Sequence, residues 1–312
     1  ERRDRLVAAV LNRSHVNLSG SGTINLSNLT IDSAGSAGIV ASSTSVTLTN
    51  SIINNVANGM SISSGTHTIT GCTFAGSAST SDTAISSSSA VLTLDGNTFK
   101  DWNTGVSLSN NATVTRNIFW GVQSYGLLLN SGYTLTGNHN TFHGQVGAAI
   151  YNSAGGVLNI TRNVFGNTMP TSTGSLGNIT ESLFWGASAP SATGTNLRAD
   201  ALFKNPAAGD FTPTERSPAR WWAPTMNSEA AGAIAYAGDP SPAGFAGAYY
   251  DDFTFPTGSS TLTGDILIHP NATLTFLPGT TIRVTRGDSL SGMTTTNRAE
   301  IYVAGELESD GT

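Results

Sequence analysis

Apolar and polar residues alternate over short runs in the first two thirds of the chain, and these runs recur with small substitutions. ATVTRNIFW at 112–120 is followed by YTLTGNHNTFH at 133–143 and by GVLNITRNVFG at 156–166. Alternation with a period of two over three to five residues predicts short strands that bury one face. The recurrence predicts that each copy forms one turn of a repeating structure.

Each copy contains a quartet that ends in a large apolar residue, here called the anchor residue. A second alternating run precedes the quartet, and a third follows it after a variable loop. The anchor residues are spaced by 22, 21, 25, 20, 23, 23 and 19 residues, a period typical of solenoids. We therefore predict an all-β parallel β-helix with three short strands per coil of about 22 residues. The anchor residues are Ile31, Ile53, Phe74, Phe99, Phe119, Phe142, Phe165 and Phe184.

The position two residues before the anchor residue is asparagine in four consecutive coils: Asn97, Asn117, Asn140 and Asn163. Stacked asparagines can pass side-chain hydrogen bonds from coil to coil and tolerate turn conformations, so these four are expected to form a structural ladder. Ser51, Cys72 and Ser182 occupy the same position in flanking coils. Cys72, the single cysteine, is accordingly predicted to be a small buried filler, and no internal disulfide can form.

These repeats resemble the right-handed parallel β-helix of the pectate-lyase-like superfamily, and the resemblance covers residues 14–190, including the asparagine ladder. At 1–13, the start ERRDRLVAAVLN is similar to the short helix that caps such solenoids. Leu6, Val7, Val10 and Leu11 would share one face of that helix.

Composition changes after the repeats. Residues 191–245 are expected to hold a closing motif and a linker rich in proline, alanine and glycine, because ADALFKNPAAGDFTPTERSPA at 199–219 is similar to the closing motif of bacterial extracellular β-helix proteins. Residues 246–312 resemble the opening coils of a second, truncated β-helix. An open end would expose apolar core, so we expect a longer polypeptide or another subunit to cover it.

Charge limits the classes of partner. Charged residues make up 11% of the chain, the net charge is −6, and no basic cluster follows the first five residues, so nucleic acid is not an expected partner. No apolar run reaches the roughly 18 residues that cross a bilayer, and the sequence does not open with a secretion signal. The resemblance nevertheless implies an extracellular or cell-surface location.

The superfamily includes polysaccharide lyases and hydrolases, and the resemblance implies that catalytic acids would lie on an outer sheet face. Glycosidases need paired carboxylates, one to donate a proton and one to attack or to activate water. The acids between 28 and 190 are Asp32, Asp82, Asp95, Asp101 and Glu181, and no two share a register, while Asp82 is predicted to be a solvated loop residue. The outer positions are expected to be Ser61, Ser63, Ser86, Ser107, Ser109, Leu128, Asn130, Ala149 and Tyr151. We therefore assign no catalytic residue, no cofactor and no metal site.

A row of cationic and aromatic residues is the strongest candidate site. Arg116, His139 and Arg162 precede ladder positions, and Lys100, Trp120, His143 and Trp185 follow anchor residues. Indole rings stack on sugar rings and cations hydrogen-bond to sugar oxygens, so this row predicts contact with glycans. The alternative is that the arginines are merely solvated and the tryptophans pack under loops.

The sequence thus favours a non-catalytic structural or adhesive module of a large exported protein, in contact with glycans or with further copies in a fibre. The alternative is a polysaccharide lyase or glycoside hydrolase. A remote alternative is ice binding, because outward threonines recur in Thr-x-Thr pairs. Threonine is also simply a favoured residue on exposed strands. The pairs are Thr47 and Thr49, Thr68 and Thr70, Thr113 and Thr115, and Thr134 and Thr136.

Overall fold

The computed structural model describes residues 5–12, 15–32, 36–77, 79, 81–172, 178–186, 195–220, 231–238, 245–284 and 299–309. Within these ranges the chain forms short strands joined by turns, and two 3-10 turns are the only helical elements. The all-β prediction is confirmed. The first strands are β1 (Arg5–Asn12), β2 (Val16–Ser19), β3 (Thr23–Asp32), β4 (Ala37–Ser42), β5 (Ser45–Thr49), β6 (Ile52–Asn54), β7 (Asn58–Ile62), β8 (Thr66–Thr70), β9 (Thr73–Ala75), β10 (Thr83–Ser87), β11 (Val91–Asp95), β12 (Thr98–Lys100), β13 (Thr104–Leu108), β14 (Ala112–Thr115), β15 (Ile118–Trp120), β16 (Tyr125–Leu129), β17 (Thr134–Asn138), β18 (Thr141–His143), β19 (Ala148–Asn152) and β20 (Val157–Thr161).

The later elements are again short. They are β21 (Val164–Gly166), β22 (Met169–Thr171), β23 (Ile179–Thr180), β24 (Leu183–Trp185), β25 (Leu197–Arg198), β26 (Phe203–Asn205), the 3-10 turn Pro206–Ala208, β27 (Asp210–Pro213), the 3-10 turn Pro218–Arg220, β28 (Gly247–Tyr249), β29 (Phe253–Phe255), β30 (Gly258–Leu262), β31 (Ile266–Ile268), β32 (Thr273–Phe276), β33 (Thr280–Val284), β34 (Ile301–Val303) and β35 (Glu306–Ser309). Contacts divide the chain into a first unit, residues 1–163 and 168–179, and a second unit, residues 164–167 and 180–312. The domain boundaries predicted at 190 and 245 stay a prediction.

In the first unit, each coil pairs in parallel with the next coil. One coil consists of β11, a corner, the three-residue strand β12, a second corner and β13. β12 pairs with β15, and Phe99 lies in register with Phe119. β13 pairs with β16, and Val106 lies in register with Leu127. This is the coil-on-coil pairing of a parallel β-helix, as predicted.

The anchor residues form the centre of the core. Phe74, Phe99, Phe119 and Phe142 are buried, and successive rings stack with centroids 5.1, 4.8 and 4.8 Å apart. This spacing equals the distance between neighbouring strands, about 4.8 Å, so the coil register itself places each ring over the next.

Small residues on the second sheet make room for these rings. A Cβ atom at Gly105 would lie 2.9 Å from Cδ1 of Phe119, and one at Gly126 would lie 2.9 Å from Cδ1 of Phe142. Ala149 follows Gly126 in this inner column and is buried, so the expectation that it faces outward is wrong. Tyr151 faces outward as expected, in register with Leu128, but the alternation breaks at the start of β19, where Ala148, Ala149 and Ile150 are all buried.

The asparagine ladder is confirmed within the first unit. The backbone N–H of Asn97 donates to Oδ1 of Asn117 at 2.9 Å, that of Asn117 to Asn140 at 2.9 Å, and that of Asn140 to Asn163 at 2.7 Å. Each of these side-chain amides also donates to the oxygen of the next asparagine, and all four residues are buried. The ladder therefore satisfies the polar groups that a corner would otherwise bury without partners.

Cys72 extends the ladder, as expected. Its N–H donates to Oδ1 of Asn97 at 2.9 Å, and burial raises the pKa of its thiol to about 11. The thiol is thus protonated and unreactive at neutral pH. In the second unit, the N–H of Ser182 donates to Oδ1 of Asn196 at 3.0 Å, a ladder partner that the sequence analysis did not find.

A left-handed residue stands next to the ladder position in eight successive coils. The sequence analysis found the ladder but not this conformation, which only Asn, Asp, His and Gly adopt readily among ordinary residues. The residues with a positive φ at this corner are Asn28, Asn50, Gly71, Gly96, Arg116, His139, Arg162 and Glu181, with φ between 48° and 65°.

The predicted N-terminal helix is wrong. Residues 5–12 form β1, which pairs in parallel with β3, with Leu6 opposite Leu26 and Leu11 opposite Ile31. An isolated helix of this length is marginal in water, whereas the edge of the first coil offers a row of backbone donors and acceptors. Residues 1–4 and 13, which the prediction also included, lie outside the described residues.

One coil differs in register from the prediction. Thr113 pairs with Thr136 and Val114 with Gly137. The strand that precedes the ladder residue of this coil is therefore TLTGN at 134–138, whereas the alternating pattern predicts YTLT at 133–136. Gly137 is buried in the inner column, where a Cβ atom would lie 2.9 Å from Cδ1 of Ile160. Because glycine has no side chain, this coil lacks the apolar residue that marks the same inner position in the other coils.

The C-terminal part of the second unit winds in the same way. β28, β31 and β34 form one parallel sheet, β29, β32 and β35 a second, and β30 and β33 a third. Its core contains Tyr249, Phe255, Leu262, Ile266, Ile268, Ala272 and Leu274. The prediction that a second β-helix begins here agrees with these three parallel sheets.

The ladder predicts a specific loss of stability. Asn117→Ala would leave the N–H of Asn97 and the carbonyl of Leu94 without their partners, at a cost of about 1–3 kcal/mol for each buried group. Urea denaturation should show a lower free energy of unfolding. Asn159→Ala, at an exposed position of β20, is the matched control and should change it little. Equal losses in both variants would contradict the role of the ladder.

A buried histidine predicts acid sensitivity. His67 is fully buried beside Leu92, and burial lowers its pKa below 6.5, partly opposed by the bond of its Nε2 to the carbonyl of Ser64. In the unfolded chain His67 takes up a proton near pH 6.5, whereas in the folded chain it does so only at a lower pH. The free energy of unfolding therefore has its full value above pH 6.5 and declines as the pH falls below it.

His67→Leu should therefore flatten the fall in unfolding free energy between about pH 7 and about pH 5. His15→Leu, at an exposed position, should keep the slope of the parent protein. The measurement is urea denaturation at both pH values, and an unchanged slope in His67→Leu would refute the assignment.

Candidate functional site

Arg116, His139 and Arg162 lie on successive coils at the left-handed corner. Burial lowers the pKa of His139, and the charges of Arg162 and then Arg116 lower it further. His139 is accordingly neutral at physiological pH, and its Nδ1 lies 3.4 Å from Oδ1 of Asn138. The corner thus presents two guanidinium groups on either side of a neutral imidazole.

Arg116 forms an ion pair across the coils. Its Nη2 lies 2.5 Å from Oδ2 of Asp95, and the two side chains are 56% and 29% exposed. An exposed pair of this kind contributes only about 0–1 kcal/mol. A ligand anion or hydroxyl can therefore compete for this guanidinium at little cost.

Lys100, Trp120 and His143 form a second file, at the far ends of β12, β15 and β18. Lys100 is in register with Trp120, and Trp120 with His143, and all three are half-buried. Burial lowers the pKa of His143 to about 4, so its ring is neutral at physiological pH. His139 and His143 therefore offer the chemistry of neutral hydrogen-bonding rings, and the cations of the predicted row are Lys100, Arg116 and Arg162.

The two files border the same short strands. β15 begins at Ile118, two residues after Arg116, and ends at Trp120, and the side chain of Ile118 is half-buried. At about 3.3 Å per residue, the α-carbons of Arg116 and Trp120 are no more than about 13 Å apart. Six of the seven predicted residues therefore share one surface of the first unit, here called the corner patch: Lys100, Arg116, Trp120, His139, His143 and Arg162.

The seventh residue, Trp185, belongs to the second unit. There its ring packs edge-on against Phe203, with centroids 6.1 Å apart. Glu181, at the end of the same predicted row, also lies in the second unit, and its N–H donates to Oγ1 of Thr195 at 3.0 Å. For Trp185 this contact matches the alternative in which tryptophan packs under a neighbouring segment.

The carboxylates of the first unit have structural contacts. Asp32 accepts a hydrogen bond from Nδ2 of Asn55 at 2.9 Å, and Asp95 pairs with Arg116. Asp82 is 5% exposed and accepts from Oγ of Ser77 at 2.8 Å, so its prediction as a solvated loop residue is wrong. The backbone carbonyl of Asp82 accepts a hydrogen bond from the N–H of Thr104 in the next coil. This bond holds Asp82 against the sheet, and its side chain is buried as a result.

The outer face of the second sheet carries small polar residues and then an aromatic pair. Ser61, Ser86 and Ser107 are in register, followed by Leu128 and Tyr151. The rings of Tyr125 and Tyr151 lie 4.9 Å apart in a tilted arrangement. This pair could not be predicted from the repeat pattern, because the two tyrosines occupy different positions in their strands.

The threonines form one continuous outward file: Thr47, Thr68, Thr93, Thr113 and Thr136. The Thr-x-Thr pairs predict a second file of threonines beside the first. In the structure Asp95 and Asn138 interrupt this second file. Thr134 lies in neither file. The regular double rank that the ice-binding alternative needs is therefore incomplete.

Metal sites and membrane spans are two further possibilities for the described residues. No cluster of three or more His, Cys, Asp or Glu side chains in these ranges is arranged to hold a metal ion. No helix in the described part of the chain is long and apolar enough to span a membrane.

Comparison with known proteins gives one family match. Residues 14–165 match the family model described as a right handed beta helix region. No curated protein sequence matches the chain.

Among solved structures, the PL6 family alginate lyase AlyGC matches with a TM-score of 0.32 and 13% identity over 98% of this chain and 68% of the lyase. A mutant of the same lyase matches with a TM-score of 0.29 and 11% identity over 98% of this chain and 72% of that chain.

The handedness in the family description agrees with the prediction from the sequence, and the observed winding agrees with both. The described chain folds as a parallel β-helix, and its residues 14–165 match the right-handed β-helix family.

Proposed function

We propose that this chain is a non-catalytic structural and adhesive module of a larger exported protein, and that the corner patch contacts glycans. The observation that carries the proposal is that Arg116, His139 and Arg162 occupy left-handed corners that earlier coils fill with Asn50, Gly71 or Gly96.

The backbone conformation of the arginines is costly. A left-handed conformation costs an ordinary residue about 1–2 kcal/mol, and glycine adopts it without that cost. Strained residues of this kind cluster at functional sites, where the surrounding structure holds them in place. The ladder bonds of Asn117 and Asn140 supply that support here.

The chemistry of the corner patch suits a sugar chain. Trp120 offers a half-buried ring face for stacking, Arg116 and Arg162 offer several N–H donors, and the neutral imidazoles of His139 and His143 can donate or accept. The files run from coil to coil, so an extended chain could contact several coils at once and gain affinity through repeated weak contacts.

The same repetition suits a stiff spacer. The stacked phenylalanines continue from Phe74 to Phe142 and the asparagine ladder from Asn97 to Asn163, and each coil supports its neighbours. A location outside the cell, and assembly with further copies, are part of the proposal and rest on the resemblance to secreted β-helix proteins.

The alternative is a polysaccharide lyase or hydrolase. A hydrolase would need two convergent carboxylates, and Asp32, Asp82 and Asp95 instead bond to residues of their own or neighbouring coils. We therefore favour binding over catalysis.

The strain predicts a trade-off between stability and binding. In the double variant Arg116→Gly and Arg162→Gly, relief of the left-handed strain offsets the greater freedom of glycine in the unfolded chain, so stability should be unchanged or about 1 kcal/mol higher per site. Binding on a glycan array should fall at least about tenfold, because both guanidinium groups are gone.

The charge-matched control is Arg283→Gln, at an exposed position of β33 in the second unit, which should keep full binding. Trp120→Ala should also weaken binding by removing the stacking surface. Glycan binding that survives both the double variant and Trp120→Ala would refute the corner patch.

The non-catalytic assignment is tested by incubating the purified chain with a panel of neutral and acidic polysaccharides. We expect neither new reducing ends nor unsaturated products, because the described acids of the first unit are not paired for acid–base work. Product formation that Asp82→Asn abolishes would establish the enzymatic alternative instead.

A further inference from the structure

A separate open cavity of about 200 Å³ lies in the second unit. It forms where the segment around the second 3-10 turn meets the first coil of the second β-helix. Its volume is below the roughly 300–1,000 Å³ of pockets for drug-sized ligands, so it has room for one small ring. The residues of its lining that matter here are Glu215, Arg216, Arg220, Tyr249, Asp251 and Asp252.

Two tyrosines are fixed before any ligand arrives. Tyr249 and Tyr250 are 4% and 8% exposed. The hydroxyl of Tyr249 donates to the carbonyl of Phe245 at 2.8 Å, and that of Tyr250 donates to the carbonyl of Ser217 at 2.6 Å. Rings held in this way lose no further freedom when a ligand packs against them.

The two arginines are held by these rings. Nη1 of Arg216 donates to the hydroxyl oxygen of Tyr249 at 3.1 Å, and its guanidinium lies 5.4 Å from the centroid of that ring. The guanidinium of Arg220 lies 3.9 Å from the ring of Tyr236 and 4.9 Å from that of Tyr250. Stacking fixes the plane of each guanidinium, and with it the directions in which its N–H groups point.

Three residues with carboxylates also line the cavity. Glu215, Asp251 and Asp252 are exposed, and Oδ1 of Asp252 also accepts from the N–H of Thr273 at 2.8 Å. The lining therefore combines strong acceptors with the strong donors of the two arginines.

This arrangement selects among kinds of ligand. A phosphate or sulfate would meet three carboxylates, and a simple cation would meet two guanidinium groups, so both are disfavoured. A neutral ring with many hydroxyls can donate to the carboxylates, accept from the arginines and pack on the half-buried ring of Phe253. We propose that this cavity binds a single neutral sugar ring, such as the end of a glycan chain. The site is distinct from the corner patch and does not depend on it.

The test is saturation-transfer NMR on the full chain with methyl glucoside, methyl galactoside, methyl mannoside and N-acetylglucosamine. At least one neutral ring should receive saturation, with a Kd of roughly 1–10 mM. Asp251→Asn removes a charged acceptor at an exposed position, and Arg216→Lys keeps the charge but removes the planar fork. Each should weaken binding at least about fivefold, because each removes a charge-assisted hydrogen bond.

Two controls separate this site from the corner patch. Arg283→Lys should leave the signal unchanged, and so should the double variant Arg116→Gly and Arg162→Gly. The inference is overturned if no neutral ring receives saturation at up to about 20 mM. It is equally overturned if the signal survives both Asp251→Asn and Arg216→Lys, or if sodium sulfate displaces the sugar.

Discussion

The hydrogen bonds that cross from one coil to the next at the asparagine corner are the constraint on which the rest of the structure depends. A β-helix must turn its backbone inside its own core, where unpaired N–H and C=O groups are costly. Asn97, Asn117 and Asn140 remove that cost, because each pairs through both backbone and side chain with the coil that follows. The phenylalanine rings stack at the strand spacing because these bonds fix the register of the coils.

A firmly held corner has a functional consequence. Because the ladder keeps the turn in place, the neighbouring residue can adopt a left-handed conformation even when it is arginine, as at 116 and 162. Charge is thus placed on the outside of a chain that has few charged residues in total. The second unit uses a different device, in which stacked tyrosines hold Arg216 and Arg220. In both places the side chains that we propose to contact sugars are held before a ligand arrives, which lowers the entropy that binding would cost.

Most features that recur from coil to coil could be predicted from the sequence, although the left-handed residue beside the ladder was missed, and features that depend on a single coil could not. The period, the anchor residues and the ladder recur, so the fold, the burial of Cys72 and the grouping of Arg116, His139 and Arg162 followed from spacing alone. The N-terminal strand was missed because the apolar residues of its sequence also fit one face of a helix, and only the free edge of β3 decides between the two.

Other errors concerned local context. Gly137 takes an inner position with no side chain to mark it, which displaced the predicted run by two residues. The neutral state of His143 depends on burial by residues distant in sequence, and so does the burial of Asp82. The cavity around Arg216 and Tyr249 joins residues 33 positions apart that belong to no repeat.

Hydrogen exchange at the ladder tests the central claim most directly. The backbone N–H groups of Asn97, Asn117 and Asn140 should exchange only through global unfolding, with the same free energy as the most protected strand amides. The N–H of Asn111, which donates to the side chain of Asn110 at an exposed turn, should exchange much faster. If the ladder amides exchange as fast as that of Asn111, the coil-to-coil bonds do not hold the corner, and the account of the strained arginines fails with them.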